Sequence, residues 1–174
     1  MKNFNHLPII IFTERLVLYP FTTEICSEIL NNNFEIIENI GLNKGINWPD
    51  NDITETLPKI IKNLSLVNSP TGFESWMIIK KDTNEIIGDI GFKGFNRSKN
   101  SCDIGYGIIE AERRKGYAIE AAKSLINWIL KKDISIDITA STLINNYGSI
   151  TLLKKLNFVE INKDDEFIYW KLLK

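Results

Sequence analysis

Ile108-Ile109-Glu110-Ala111-Glu112-Arg113-Arg114-Lys115-Gly116-Tyr117-Ala118 places three consecutive cations and a glycine between two different hydrophobic periods. Behind it, Ser101–Ile109 alternates like a strand. Ahead of it, Ala118, Ala121, Ala122, Leu125 and Ile129 recur at i, i+3, i+4 and i+7, an amphipathic helix running to about Lys132. The spacing therefore predicts strand, loop, helix. Gly116 lets a backbone approach closely, and the amides of a helix's first turn have no acceptor within the helix. The helix dipole adds about 0.3–1 kcal/mol for each nearby negative charge. Together with Arg113, Arg114 and Lys115 the segment reads as a pyrophosphate cradle. A basic loop beside a helix, with no ligand at all, is the competing reading of the same residues. The other glycine clusters, Gly88/Gly91/Gly94 and Gly105-Tyr106-Gly107, match neither G-x-G-x-x-G nor the P-loop spacing and read as close backbone approach within strands.

Upstream, Phe12–Tyr19 reads as a strand stopped by Pro20, and Thr23–Asn32 as a short helix. Ile40–Asn51 reads as a loop carrying Trp48-Pro49. A second helix starts at Asp52, where Asp52-Ile53-Thr54-Glu55 has capping-box spacing. Three strands follow as a meander: Phe73–Lys80, Glu85–Phe95 and Ser101–Ile109. Downstream of the central helix come a strand over Ile134–Thr142, a helix over Asn145–Leu156 and a hairpin of Phe158–Ile161 with Glu166–Leu172. The order β-α-α-β-β-β-α-β-α-β-β is α+β: a mixed sheet with helices on its faces, in a single domain spanning residues 1–174.

The 174 residues carry 21 Lys+Arg and 22 Asp+Glu, a balance of −1 that gives no reason to expect nucleic acid or an anionic membrane as partner. No apolar run approaches the ~20 residues of a membrane span, and the start lacks a signal-peptide pattern. The one histidine is His6, and the two cysteines, Cys26 and Cys102, lack ligand spacing. A zinc site, a Cys–His pair and a disulfide framework all lack parts, and a Ser-His-Asp triad has only His6 to draw on. Free thiols suit a reducing compartment, so the expected location is cytoplasmic. Any catalysis then falls to carboxylates, hydroxyls, backbone amides and a bound cofactor.

Arg113-Arg114-Lys115-Gly116-Tyr117-Ala118 matches the [QR]-x-x-G-x-[GA] loop of the GCN5-related N-acetyltransferase (GNAT) superfamily and is similar to the "RGKGYATEA" form of its RimJ/RimL-type branch. Thr13-Glu14-Arg15-Leu16-Val17-Leu18 resembles the branch's first strand, "TERLxLR", with Tyr19 where Arg is usual. The stretch from Asn145 to Phe158 resembles "NxxSxxLLEKLGF". The resemblance covers about residues 12–174, in the family's order. It implies a central mixed seven-stranded sheet whose fourth and fifth strands (here Ser101–Ile109 and Ile134–Thr142) splay apart. It also implies acetyl transfer from acetyl-CoA to a primary amine, either a protein N-terminal α-amine or a small-molecule amine, by direct attack in a ternary complex. Another acyl-CoA as donor, or a noncatalytic acyl-CoA-binding module, are the alternatives. The protein would be a monomer or homodimer and hold no metal.

By the same resemblance, backbone groups of Ile108 and Ile109 pair with the pantetheine like an added strand. Arg113, Arg114, Lys115, Gly116, Tyr117 and Ala118 hold the pyrophosphate. Asn146 reaches the pantetheine arm, and Ser149 lies near the thiol, as a proton donor to the departing sulfur or as a cofactor contact alone. The Ile108 N–H is the expected donor to the acetyl carbonyl. Tyr147 is an alternative phenol. The tyrosine many relatives carry four residues after the serine is Leu153 here, and the fifth-strand glutamate of some relatives aligns with Ser141. That leaves the base open among Glu74, Asp103, Glu110 and Glu112. Glu120 is expected to serve the helix's first turn. Through Ile90 there are 7 Lys+Arg and 12 Asp+Glu, and from Gly91 on 14 and 10. The split suits a cofactor half that meets a polyanion and an acceptor half that meets a cation. Trp48, Phe73 and Trp76 are candidate linings of the acceptor pocket.

Overall fold

Buried positions alternate along Leu16–Pro20 and Phe167–Leu172 and run almost unbroken through Trp76–Ile79, so the outer strands read as half-covered and the central ones as covered on both faces. The computed structural model describes residues 9–174, so His6 lies outside it. In chain order the elements are β1 (Ile11–Phe12), β2 (Leu16–Pro20), α1 (Thr23–Leu30), α2 (Glu35–Asn39), β3 (Asn43–Lys44), α3 (Asn51–Leu64), β4 (Ser75–Lys80), β5 (Glu85–Asn96), β6 (Ser101–Ile108), a 3₁₀ turn (Glu110–Glu112), α4 (Tyr117–Lys132), β7 (Asp137–Leu143), α5 (Tyr147–Lys155), β8 (Phe158–Lys163) and β9 (Phe167–Leu172).

Among the described residues the sheet has nine strands in the order β1-β2-β4-β5-β6-β7-β9-β8, with β3 parallel to the start of β5. Two short strands bring the expected seven to nine. A turn closed by the Thr13 N–H donating to the Leu16 carbonyl (2.9 Å) splits the first strand. β3 occupies the edge of β5 beyond the end of β6, where the Gly45 N–H donates to the Ile86 carbonyl (3.1 Å). α3 is capped by Asp50, whose carboxylate accepts from the Ile53 N–H (3.0 Å), so the helix begins ahead of the expected Asp52 box.

β6 and β7 are parallel and paired only at Ser101↔Asp137, Cys102↔Ile138 and Asp103↔Thr139. Beyond these residues they splay, and α4 and α5 begin at the open end. Register also sorts the two faces. Trp76, Ile90 and Tyr106 are cross-strand neighbours on one face, where the Trp128 ring of α4 meets Trp76 edge-on at 5.8 Å. Met77, Asp89 and Gly107 share the other face. α4 is held to the sheet by Ala121, Ala122, Leu125, Ile126 and Ile129, all buried. Its first turn is therefore anchored from behind. No helix among the described residues is long and apolar enough to cross a membrane.

Candidate functional site

Gly116 is the residue before α4 and has φ 86°, a conformation L side chains rarely adopt. No side chain caps the helix, and the first bond back to Gly116 comes from the Glu120 N–H at 3.2 Å. The amides of Tyr117, Ala118 and Ile119 therefore have no acceptor within the helix and open onto a cleft of about 790 Å³. Arg114 is also left-handed, at φ 64°, so the loop takes two left-handed residues to present its amides outward, the geometry of an anion-binding nest.

An ion-pair lock holds the loop from the far end of the chain. Glu120 accepts from the Thr13 hydroxyl (2.6 Å), the Arg15 N–H (2.8 Å) and Arg15 Nε (2.7 Å). The Arg15 guanidinium donates to the Lys115 carbonyl (2.9 Å) and lies over the Tyr117 ring at 4.6 Å. Burial works against the Glu120 carboxylate, but these donors together outweigh it and hold its pKa below the ordinary range. The two motifs, whose Arg15 and Glu120 stand 105 residues apart, are thus one structure.

The loop's cations are not equivalent. Arg113 Nε donates to the Ile108 carbonyl (2.8 Å), and its guanidinium lies 3.9 Å from Asp52 at the start of α3. Lys115 pairs with Glu112 at 2.9 Å. Arg114 is exposed and has no ion pair among the described residues. The Ile109 N–H donates to Ile87 on β5 (3.0 Å) and the Ile109 carbonyl accepts from Glu112 (2.9 Å). The Ile109 N–H is thus taken up within the sheet, while its carbonyl keeps a second lone pair for a ligand. Because successive strand amides alternate in direction, the Ile108 N–H turns away from β5 toward the splayed opening.

At the other wall, Asn146 caps α5 by accepting from the Ser149 N–H at 3.0 Å, which leaves its amide nitrogen free at the cleft. Ser149 faces Tyr106 of β6, whose position inside a strand gave no hint of a role. The Tyr106 hydroxyl is buried without hydrogen-bond geometry to any described group. Burial raises its pKa, and the nearby Ser149 hydroxyl partly offsets this.

The remaining candidates are not brought together here. Tyr147 is exposed, and Trp48 and Trp76 are core. Phe73 packs on Phe92 and Phe95, at a separate cavity. Glu74 is buried and accepts from the Thr71 N–H and hydroxyl and the Gly72 N–H. Asp103 is paired with Lys93 at 2.5 Å and accepts from Thr139. Glu112 is held by Lys80 and Lys115, and Glu110 is exposed on the 3₁₀ turn. Burial pushes the Cys102 thiol up to about 12, which makes it a poor nucleophile.

Asp89 on β5 stands out instead. Burial pushes its carboxyl up to about 7; the negative charges of Asp50 and Asp52 add to this, and its own backbone amide opposes it. The residue is half-buried.

A family model described as "Acetyltransferase (GNAT) domain" matches residues 15–159. Over 162 residues the chain is 34% identical to the uncharacterized N-acetyltransferase YjdG of Bacillus subtilis (strain 168), covering 93% of this chain and 96% of that protein. Among solved structures, an acetyltransferase from Agrobacterium tumefaciens str. C58 superposes with a TM-score of 0.67 at 20% identity, covering 100% and 99% of the two chains. The RimL ribosomal L7/L12 alpha-N-protein acetyltransferase gives 0.65 at 16% identity, over 100% and 99%. At these identities the superpositions establish a shared fold.

Proposed function

The chain belongs to the GNAT acetyltransferase family, and on that premise we propose that it moves the acetyl group of acetyl-CoA to a primary amine, a protein N-terminal α-amine or a small amine, by direct attack in a ternary complex. The observation that carries this reading is the uncapped start of α4, with Gly116 at φ 86°, opening onto a cleft that also holds Ser149 and the Ile108 edge. Three unpaired amides, a dipole end and an unpaired Arg114 suit a pyrophosphate. Bound acetyl-CoA supplies an activated thioester acetyl group.

The other requirements fall on the chain. The amides of Tyr117, Ala118 and Ile119, with Arg114, hold the phosphates; Arg113 and Lys115 also brace the loop. The Ile108 N–H polarises the acetyl carbonyl in this reading, and one such donor is worth about 3–4 kcal/mol. Asn146 offers its amide N–H₂ to the pantetheine arm. Ser149, with Tyr106 behind it, donates a proton to the departing sulfur in this reading. The likeness to a protein α-N-acetyltransferase favours an α-amine acceptor. So does the chemistry: an α-amine of pKa about 7.7–8.0 is roughly a tenth neutral at pH 7, whereas lysine at about 10.4 is under roughly 0.1% neutral. Buried, unpaired Cys26 and Cys102 suit a cytoplasmic protein.

The test is calorimetric titration with acetyl-CoA, followed by thiol release over a panel of primary amines. Binding with turnover on α-amine peptides bears the reading out. Binding without turnover on any amine points to a noncatalytic role, and absence of binding overturns the cofactor assignment.

A further inference from the structure

The acceptor amine arrives as an ammonium and must lose a proton, and the carboxylates named from sequence are either tied up in structural contacts or, like Glu110, exposed on the loop. Asp89 differs on three counts. Its only hydrogen bond is to its own backbone amide; among the described residues no cation or other side chain pairs with it. It stands opposite cleft-lining Gly107, where a Cβ would come within 3.2 Å of Asp89 Oδ1, so the missing side chain leaves space beside the carboxylate at that residue of the cleft wall. Beyond Gly107 on the same face, a Cβ on Gly105 would meet nothing within 4 Å, so the approach along β6 is open.

We propose that Asp89 receives the acceptor α-amine, pairing with its ammonium and taking its proton before acetyl transfer. This rests on the acetyltransferase reading above. The ammonium gives one proton to the carboxylate, leaving a neutral amine and a carboxylic acid. The C–N bond then forms as the C–S bond breaks. The nitrogen's second proton leaves with the thiol, and Asp89 returns its own proton to water.

The sheet separates the two ends of this transfer. Asp89 lies on the face shared with Met77 and Gly107, while Tyr106, with Ser149 beside it, lies on the α4 face. In this proposal the route between them is the gap that opens where β6 and β7 stop pairing, beyond Asp103↔Thr139. The charged groups facing Asp89 come from the start of α3: Asp50, and Asp52 with Arg113 beside it. The neighbours on β4 and β6, Met77 and Gly107, carry no charge. This acidic rim attracts a cation. A carboxyl near 7 accepts a proton from an α-amine at an equilibrium cost of about tenfold, against about ten-thousandfold for an ordinary aspartate near 3.9. For a lysine amine the cost remains more than a thousandfold. Asp89 thereby selects α-amines.

Alanine amide, a primary α-amine with no other titrating group, is the probe. In the wild-type protein, carboxyl ¹³C NMR should show Asp89 titrating near neutrality, with its midpoint lowered when alanine amide is added. Asp89→Asn should weaken alanine amide binding at least about tenfold and lower kcat/KM by about 10²–10³. It should also remove the pH-profile limb near 7, and the acetyl-CoA Kd should stay within about twofold. Asp89→Ser serves as the second variant. An Asp89 resonance indifferent to alanine amide overturns the proposal, as does an Asn variant with kcat/KM within about threefold and the limb intact. Failure of acetyl-CoA to bind would strike the cofactor reading instead, and the carboxyl titration would still decide Asp89.

Discussion

Replacing Asp89 by asparagine is expected to stabilise the folded protein near neutrality, the reverse of what most substitutions in a sheet do. The folded carboxyl titrates at about 7, against an ordinary value of 3.8. The folded state therefore holds the proton more tightly than the unfolded chain. Below about pH 4 both states are protonated and the group costs nothing. Between about 4 and 7 the unfolded chain ionises first, and stability falls as pH rises. At about 1.36 kcal/mol per pKa unit, three units amount to about 4 kcal/mol above pH 7. That is an upper bound, because the residue is only half-buried. Asparagine does not ionise, so its advantage should grow from near zero at about pH 4 to about 2–4 kcal/mol at about pH 8. Urea unfolding of both proteins across that range measures it directly, and every other titrating group cancels in the difference. A difference that stays flat with pH, or a variant less stable than wild type at pH 8, would mean that the folded state does not hold the Asp89 proton more tightly than the unfolded chain. If it does, the cost of the ionised carboxyl has been kept at a functional position.

Three further outcomes follow from the same geometry. Gly116→Val forces a branched side chain into φ 86° and places its Cβ 3.2 Å from the Arg15 guanidinium; acetyl-CoA affinity by calorimetry should fall more than about tenfold while the far-ultraviolet spectrum is unchanged. Glu120→Ala strands Thr13 and Arg15 and should cost about 1–3 kcal/mol in urea unfolding and weaken acetyl-CoA binding as the loop loosens; because its pKa is lowered, the Glu120 contribution is present above about pH 4.5 and lost as pH falls, so the variant's deficit should shrink in acid. Ser149→Ala should lower kcat more than it raises the acetyl-CoA Kd, and an unchanged rate would remove the leaving-group role.

Much of this was legible in the sequence because its signals are local. The cations before Gly116 and the alanine-rich start of α4 needed only period and spacing. Asn145–Leu156 was read as a helix for the same reason, and Asn146 proved to be its cap. What escaped is non-local. Arg15 and Glu120 were each noted in separate motifs, but nothing in a linear chain states that residues 105 apart form a lock. Asp89, in Ile86-Ile87-Gly88-Asp89-Ile90, looks like the polar side of an alternating strand. Only its pairing with Gly107 and the arrival of α3's acidic start show that the carboxyl is set deep beside open space with anions near it; a single charge inside that apolar run was the available signal. Tyr106 lies between two glycines of a strand pattern, which says nothing of its buried hydroxyl, because that depends on where Ser149 lies. Trp48 was a candidate for the acceptor pocket because it sits in a loop, yet that loop folds inward and leaves it 3% exposed.

If the start of α4 holds the phosphates of acetyl-CoA and the splayed strands receive its thioester, a crystal structure with CoA should show pyrophosphate oxygens within about 3 Å of the Tyr117, Ala118 and Ile119 amides, with the thiol between the Ile108 edge and Ser149. CoA bound instead in the cavity lined by Phe73, Phe95 and Asp103, leaving the α4 amides without a phosphate, would contradict this placement.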